Sequence, residues 1–118
     1  MLASRTRSMG VHMRAKTDLV TVVITCQIQP GKADIARQEF STIIKTVVTA
    51  EAACHGIDLH LDPENPDRLL LIEYWDSKEA FTGPHMQTPH MQAFLQRAQT
   101  FLAGTPDFGF WKLLAAAP

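Results

Sequence analysis

Between Leu19 and Ile28 the chain alternates Val20, Val22, Ile24, Cys26 and Ile28 with Thr21, Val23, Thr25 and Gln27. A period of two in β-branched residues predicts a strand, and Pro30-Gly31 stops it. Across residues 32–51 the period changes. Ala36, Phe40, Ile43, Ile44, Val47 and Val48 recur at helical spacing, with Arg37, Gln38, Glu39 and Lys45 between them. This predicts an amphipathic helix with one buried stripe. Its end is expected at Cys54-His55-Gly56, where Gly56 can adopt a left-handed conformation.

Ile57, Leu59 and Leu61 then alternate with Asp58, His60 and Asp62, a second strand. Pro63 to Asp67 supplies a turn and Arg68 to Trp75 a third strand, so the two form an antiparallel hairpin. Asp76 followed by Glu79 resembles a capping box that opens a short helix, broken at Gly83-Pro84. Thr88 is a natural N-cap with Pro89 at the first helical position. Met91, Phe94, Leu95, Ala98 and Leu102 form the stripe of a further helix, closed by Gly104-Thr105-Pro106. Phe108 to Leu114 reads as a last strand.

The order is βαββαβ, which predicts an α+β, ferredoxin-like domain with an antiparallel sheet and helices on one face. The other face of the first strand carries Val23 among threonines, and no predicted element covers it. A second copy of the chain is the simplest cover, so a homodimer is expected.

Length and composition agree with one domain of this size. The chain has 118 residues, 46% apolar and 19% charged, enough for a single ordinary core. Its longest apolar runs, Leu113 to Ala117 and Leu69 to Ile72, fall far short of the ~20 residues of a membrane span. Residues 1–17 hold Arg5, Arg7, Arg14 and Lys16 and no acid; without those four, 7 basic residues face 12 acidic ones, a body of charge −5. That leader lacks a continuous apolar stretch, so it is not a secretory signal, and it reads as a disordered basic segment ahead of a domain over 18–118. An acidic body in a chain of net charge −1 is not the footprint of a nucleic-acid binder. Cys26 and Cys54 lack metal-type spacing and are read as free thiols in the cytoplasm.

Phosphate loops, nucleophile elbows, zinc-protease helices and dinucleotide fingerprints are all missing from the sequence. His55 and His60, like His85 and His90, stand five apart, a spacing that does not put two rings on one helix face. No metal site is expected. The stretch that carries chemistry runs Glu73-Tyr74-Trp75, then His85-Met86-Gln87-Thr88-Pro89-His90, with Phe94 in the helix beyond. Taken with Cys54-His55-Gly56 and the strand after it, this resembles the antibiotic biosynthesis monooxygenase family. Its pattern is a strand ending E-x-W, an acidic helix start, then H-x-x-T-P-H and an aromatic residue. The likeness covers residues 19 to about 114.

The resemblance implies a dimeric α+β barrel with a pocket between sheet and helices in each subunit. It also implies oxidation of a hydroquinone or polyphenolic molecule by molecular oxygen without metal or flavin. An electron-rich phenolate can reduce oxygen itself, so the protein need only deprotonate, hold and shelter it. On that reading His85 and His90 are the candidate bases, with Glu73 as a further catalytic candidate. His90 in the first turn of a helix is expected to stay neutral. Trp75, His60 and Phe94 are candidate substrate contacts, while Trp75 also reads as structural packing and His85 and His90 as loop anchors or helix caps. Glu73 is also read as a hydrogen-bonding residue that ties down a loop or His85.

Two branches of the family imply other chemistry. Haem degraders carry an Asn on the first strand, a second Trp and a later His. This chain has Thr25 or Gln27, Pro84 and Phe94 there, which disfavours haem. A branch that isomerises a phosphorylated sugar shares the H-x-x-T-P-H run, but only Lys78 and Arg97 lie near the motif to hold a phosphate. A ligand-binding barrel without catalysis is the remaining alternative.

Overall fold

The computed structural model describes residues 16–118. Of the basic leader over 1–17, all but Lys16 and Thr17 lie outside the described residues. A 3-10 turn, Lys16–Asp18, leads into β1 (Val20–Gln27). Next come α1 (Ala33–Ala50), β2 (Cys54–Asp62) and β3 (Asn65–Trp75). The short α2 (Lys78–Ala80) runs on as a π-helical turn over Phe81–His85, before α3 (Pro89–Ala98) and β4 (Asp107–Lys112).

The four strands form one sheet in the order β2-β3-β1-β4, with every neighbour antiparallel. This is the ferredoxin-like, split βαβ arrangement that the alternating pattern predicts. In β1 the register sets Val22 opposite Glu73, Ile24 opposite Leu71 and Cys26 opposite Leu69. Side chains alternate across a strand, so these residues share the face beneath the helices. Phe40 from α1, Phe94 from α3 and the fully buried Phe101 meet there, with ring centroids 5.3 to 6.1 Å apart. Phe101 sits in the segment after α3, whose backbone is stitched to the end of β1. Gln29 N–H donates to the Phe101 carbonyl at 2.8 Å, and Ala103 N–H to that of Gln27 at 2.8 Å.

Three local expectations need correction. The first helix ends at Ala50, short of the Cys54-His55-Gly56 segment expected to close it. Glu51 takes an extended conformation (φ −116°, ψ 104°), and its N–H still donates to Val47 O at 2.9 Å. Cys54-His55-Gly56 therefore opens β2 instead of capping a helix. A bulge there pairs Cys54 with Trp75 and Gly56 with Tyr74, leaving His55 as the extra residue. Secondly, the N-cap of α2 is Ser77, not Asp76: its Oγ accepts the Ala80 N–H at 3.0 Å. Thirdly, Gly83-Pro84 does not break the coil. The chain widens into the π turn, which dispenses with an ordinary α-helical hydrogen bond where proline has no N–H to give. The expected cap at Thr88 is present, its Oγ1 accepting the Met91 N–H at 3.2 Å behind Pro89.

Phe101 lies outside any regular element yet closes the aromatic core. Phe101→Ala should cost about 3–5 kcal/mol of stability by urea denaturation, the scale of an aromatic side chain lost from a packed interior.

Candidate active site

Because β3 alternates, Leu69, Leu71, Glu73 and Trp75 all point under the helices, and all are buried. A carboxyl is thereby carried into an apolar layer. Glu73 is 5% exposed, and its Oε1 accepts the Trp75 indole N–H at 2.9 Å. Removal from water disfavours its anion and pushes its pKa up to about 7; the nearby Glu51 adds to the rise, and the indole bond opposes it.

His85 comes from the π turn. Both Phe81 and His85 face inward, and the imidazole packs tilted against Trp75 at 4.4 Å and against Phe81 at 5.2 Å between ring centroids. Its Nδ1 lies 2.9 and 3.0 Å from the two carboxylate oxygens of Glu51. His90, in the first turn of α3, brings Nε2 to 2.6 Å from Glu51 Oε2. One carboxylate thus serves two histidines from different parts of the chain. Burial lowers the pKa of His85 and outweighs the opposite pull of Glu51.

Glu73 and His85 line one cavity of about 80 Å³ between the sheet and α1 and α3. A single water needs ~10–15 Å³, so the space suits a ring-sized molecule. Its other walls are apolar, among them Ile24, Ile43, Met86, Met91, Phe94 and Leu95, with the Cys26 thiol as the one further ionisable group. Burial pushes that thiol up to about 12, as it does Cys54, so both stay protonated, and both are free. Among the described residues no buried side-chain nitrogen or oxygen lacks a partner. The hydrogen bonds of Glu73 and His85 are made through Oε1 and Nδ1, which leaves Oε2 and Nε2 without a protein partner, and both residues line the cavity.

The sequence candidates therefore separate. His85, Glu73 and Phe94 line the cavity. Trp75 does not; it is fully buried behind the site and supports Glu73 and His85. His90 reaches the site only through Glu51. His60 pairs with Leu70 on the outer face of the sheet, where it lines a shallow hollow with Thr25, Asp62 and Arg68. Glu73 ties down Trp75, not His85 or a loop. Glu51 is absent from the sequence candidates, because its partners lie 34 and 39 residues along the chain. The only hint was an acid at the end of an amphipathic helix. Among the described residues no group of three or more His, Cys, Asp or Glu is arranged to hold a metal ion, and no helix is long and apolar enough to cross a membrane.

These features define a small split-βαβ domain that shelters an apolar chamber with an imidazole and a carboxyl at its wall. The chain belongs to the antibiotic biosynthesis monooxygenase family, whose sequence profile matches residues 19–97. Solved structures agree on the fold. PA3566 from Pseudomonas aeruginosa is 24% identical with a TM-score of 0.73, over 86% of this chain and 100% of that one. Rv0793 from Mycobacterium tuberculosis is 22% identical with a TM-score of 0.71, over 85% and 99%. A crystal structure described as an antibiotic biosynthesis monooxygenase is 19% identical with a TM-score of 0.72, over 81% and 99%. A comparison with curated proteins gave no match.

The raised pKa of Glu73 has a thermodynamic signature. Between an ordinary 4.5 and about 7 the folded protein keeps a proton that the unfolded chain releases. Glu73 therefore contributes stability below pH 4.5 that is lost as pH rises through 7. The lowered pKa of His85 works the other way, on acidification. Urea titrations of wild type and Glu73→Gln across this range isolate the carboxyl. Their difference in unfolding free energy should change with pH by on the order of 3 kcal/mol; a constant difference would contradict the burial of an ionisable group.

Proposed function

We propose that the protein is a cofactor-independent monooxygenase that oxidises a hydroquinone or polyphenolic small molecule with molecular oxygen. The observation that carries this reading is the pairing of an imidazole held towards its neutral form and a carboxyl that keeps its proton up to about pH 7 on an otherwise apolar chamber. Their environments push the two pKa values in opposite senses, which is how acid and base roles are divided near neutral pH.

In this mechanism His85 Nε2 takes the proton of a substrate hydroxyl. The resulting anion passes one electron to oxygen, and the ring radical and superoxide combine to form a carbon–oxygen bond. The peroxide so formed takes up the proton held by His85. As its O–O bond breaks, Glu73 gives a second proton to the departing oxygen, which leaves as water, and the ring C–H proton returns to Glu73. The ring, having lost hydrogen at oxygen and at carbon, is left as a quinone. One oxygen atom enters the product and the other leaves as water. The substrate supplies all four electrons, so no external reductant enters the balance. The apolar walls exclude bulk water from the reduced oxygen species.

A phosphorylated sugar fits this chamber poorly, because no cation lines it. Lys78 stands 4.8 Å over the Phe110 ring and Arg97 is paired with Glu39 at 2.8 Å.

Oxygen uptake over a panel of alkyl-substituted hydroquinones tests the reading. His85→Gln should lower turnover about 10²- to 10⁴-fold, the usual contribution of a general base. His90→Gln should lower it less. The rate should follow a narrow bell in pH, rising as His85 deprotonates below the ordinary 6.5 and falling as Glu73 deprotonates near 7. Glu73→Gln should remove the alkaline limb. Binding without uptake would favour a non-catalytic barrel instead.

We further infer that two copies join through their outer sheet faces. Val23, Ile72, Leu70, Tyr74 and the 63%-exposed Trp111 share the face away from the helices. Sedimentation at micromolar concentration should give twice the 13.1 kDa of the chain. Trp111→Asp should weaken that association; a wild-type monomer would overturn it.

A further inference from the structure

Glu51 lies outside the cavity wall yet touches both histidines of the site. Its backbone is fixed from two sides. Its N–H donates to Val47 O at 2.9 Å, and its carbonyl accepts the Cys54 N–H at 3.0 Å. The side chain is only 11% exposed, so the carboxylate has little water to satisfy it. It takes N–H donors instead. A carboxylate can only accept, so each imidazole nitrogen facing it must carry hydrogen. For His85 that nitrogen is Nδ1, and for His90 it is Nε2.

We infer that Glu51 is the positioning residue of this site: shared between His85 and His90, its carboxylate holds His85 in the tautomer that leaves Nε2 bare and open to the cavity. The inference rests on the reading of His85 as the base. The opposite tautomer would point a hydrogen into the chamber and leave Nδ1 without one to give Glu51. His90 has a distinct part in this arrangement. By occupying Oε2 at 2.6 Å from another direction, it stops the carboxylate from turning away. When His85 takes a proton, the adjacent anion stabilises the imidazolium at a position where burial alone would not.

The groups that face His85 are few. Glu51 approaches from the end of α1 and His90 from α3, and Glu73 of β3 lines the same cavity. The rings of Trp75 and Phe81 pack against it at 4.4 and 5.2 Å between centroids.

The test needs no substrate for its first arm. In the wild-type protein, ¹⁵N shifts of the His85 ring should show hydrogen on Nδ1 and none on Nε2 above its midpoint. Glu51→Gln, whose amide can donate as well as accept, should give a mixed tautomer and move the His85 midpoint to lower pH. In the second arm, Glu51→Gln should lower kcat about 10²- to 10⁴-fold with KM changed less than about twofold, and shift the acid limb to lower pH. Glu51→Asp, a shorter carboxylate, should recover part of both effects. Hydrogen on Nε2 in the wild type, or a Glu51→Gln variant with unaltered tautomer and titration, would overturn the inference. So would a variant that melts earlier yet keeps its acid limb and kcat. If wild-type protein consumes no oxygen with any hydroquinone, the functional reading fails while the ring shifts still decide the role of Glu51.

Discussion

A β-strand cannot choose where an individual side chain points. Once Leu69, Leu71 and Trp75 of β3 are committed to the core, Glu73 must follow them inward. Most of the chemistry of the site descends from that constraint. The carboxyl is largely removed from water, so it holds its proton to about pH 7 and takes the indole N–H of Trp75. Trp75, fixed by that bond and packed against His85, then sets where the imidazole stands. The same dry surroundings act on imidazole and carboxyl alike, because each loses water most acutely in its charged form. Burial alone thus favours the neutral form of both, an acid with a proton to give and a base with a lone pair free.

Glu51 differs in kind. It is a more exposed carboxylate than Glu73, with hydrogen-bond donors in place of apolar neighbours, and it joins segments remote in sequence. The end of α1, the π turn and the first turn of α3 are tied at that one carboxylate. The site is consequently a property of how the two halves of the βαββαβ chain close on each other.

Much of this was legible from the residues. The period of two in β1 and in the β2–β3 hairpin set the strand faces correctly, including His60 opposite Leu59 and Leu61. Thr88-Pro89 marked the start of α3 because a cap hydroxyl and an N1 proline act locally. What stayed hidden was non-local or nearly degenerate. Asp76 and Ser77 are both competent caps, and only the path of the chain selects Ser77. Gly56 suits a helix end as well as a bulge, and pairing with β3 decides between them. Trp75 could be read as packing or as a pocket wall, and because the chamber occupies only part of the buried face it proves to be packing. Glu51 could not be found by pattern at all, since its role depends on partners that only folding brings near.

The π turn between Phe81 and His85 places both residues on the inner face while carrying Gly83 and Pro84 around the outside. Adding or removing one residue there would rotate the next helical turn by about 100° relative to the sheet. His85 would leave the Trp75 ring, and the Thr88–His90 segment would lose its reach to Glu51. Along this stretch the length of the chain is as strictly determined as its composition. Homologous sequences aligned across it should tolerate exchanges at Thr82, Gly83 or Pro84 far more readily than gaps.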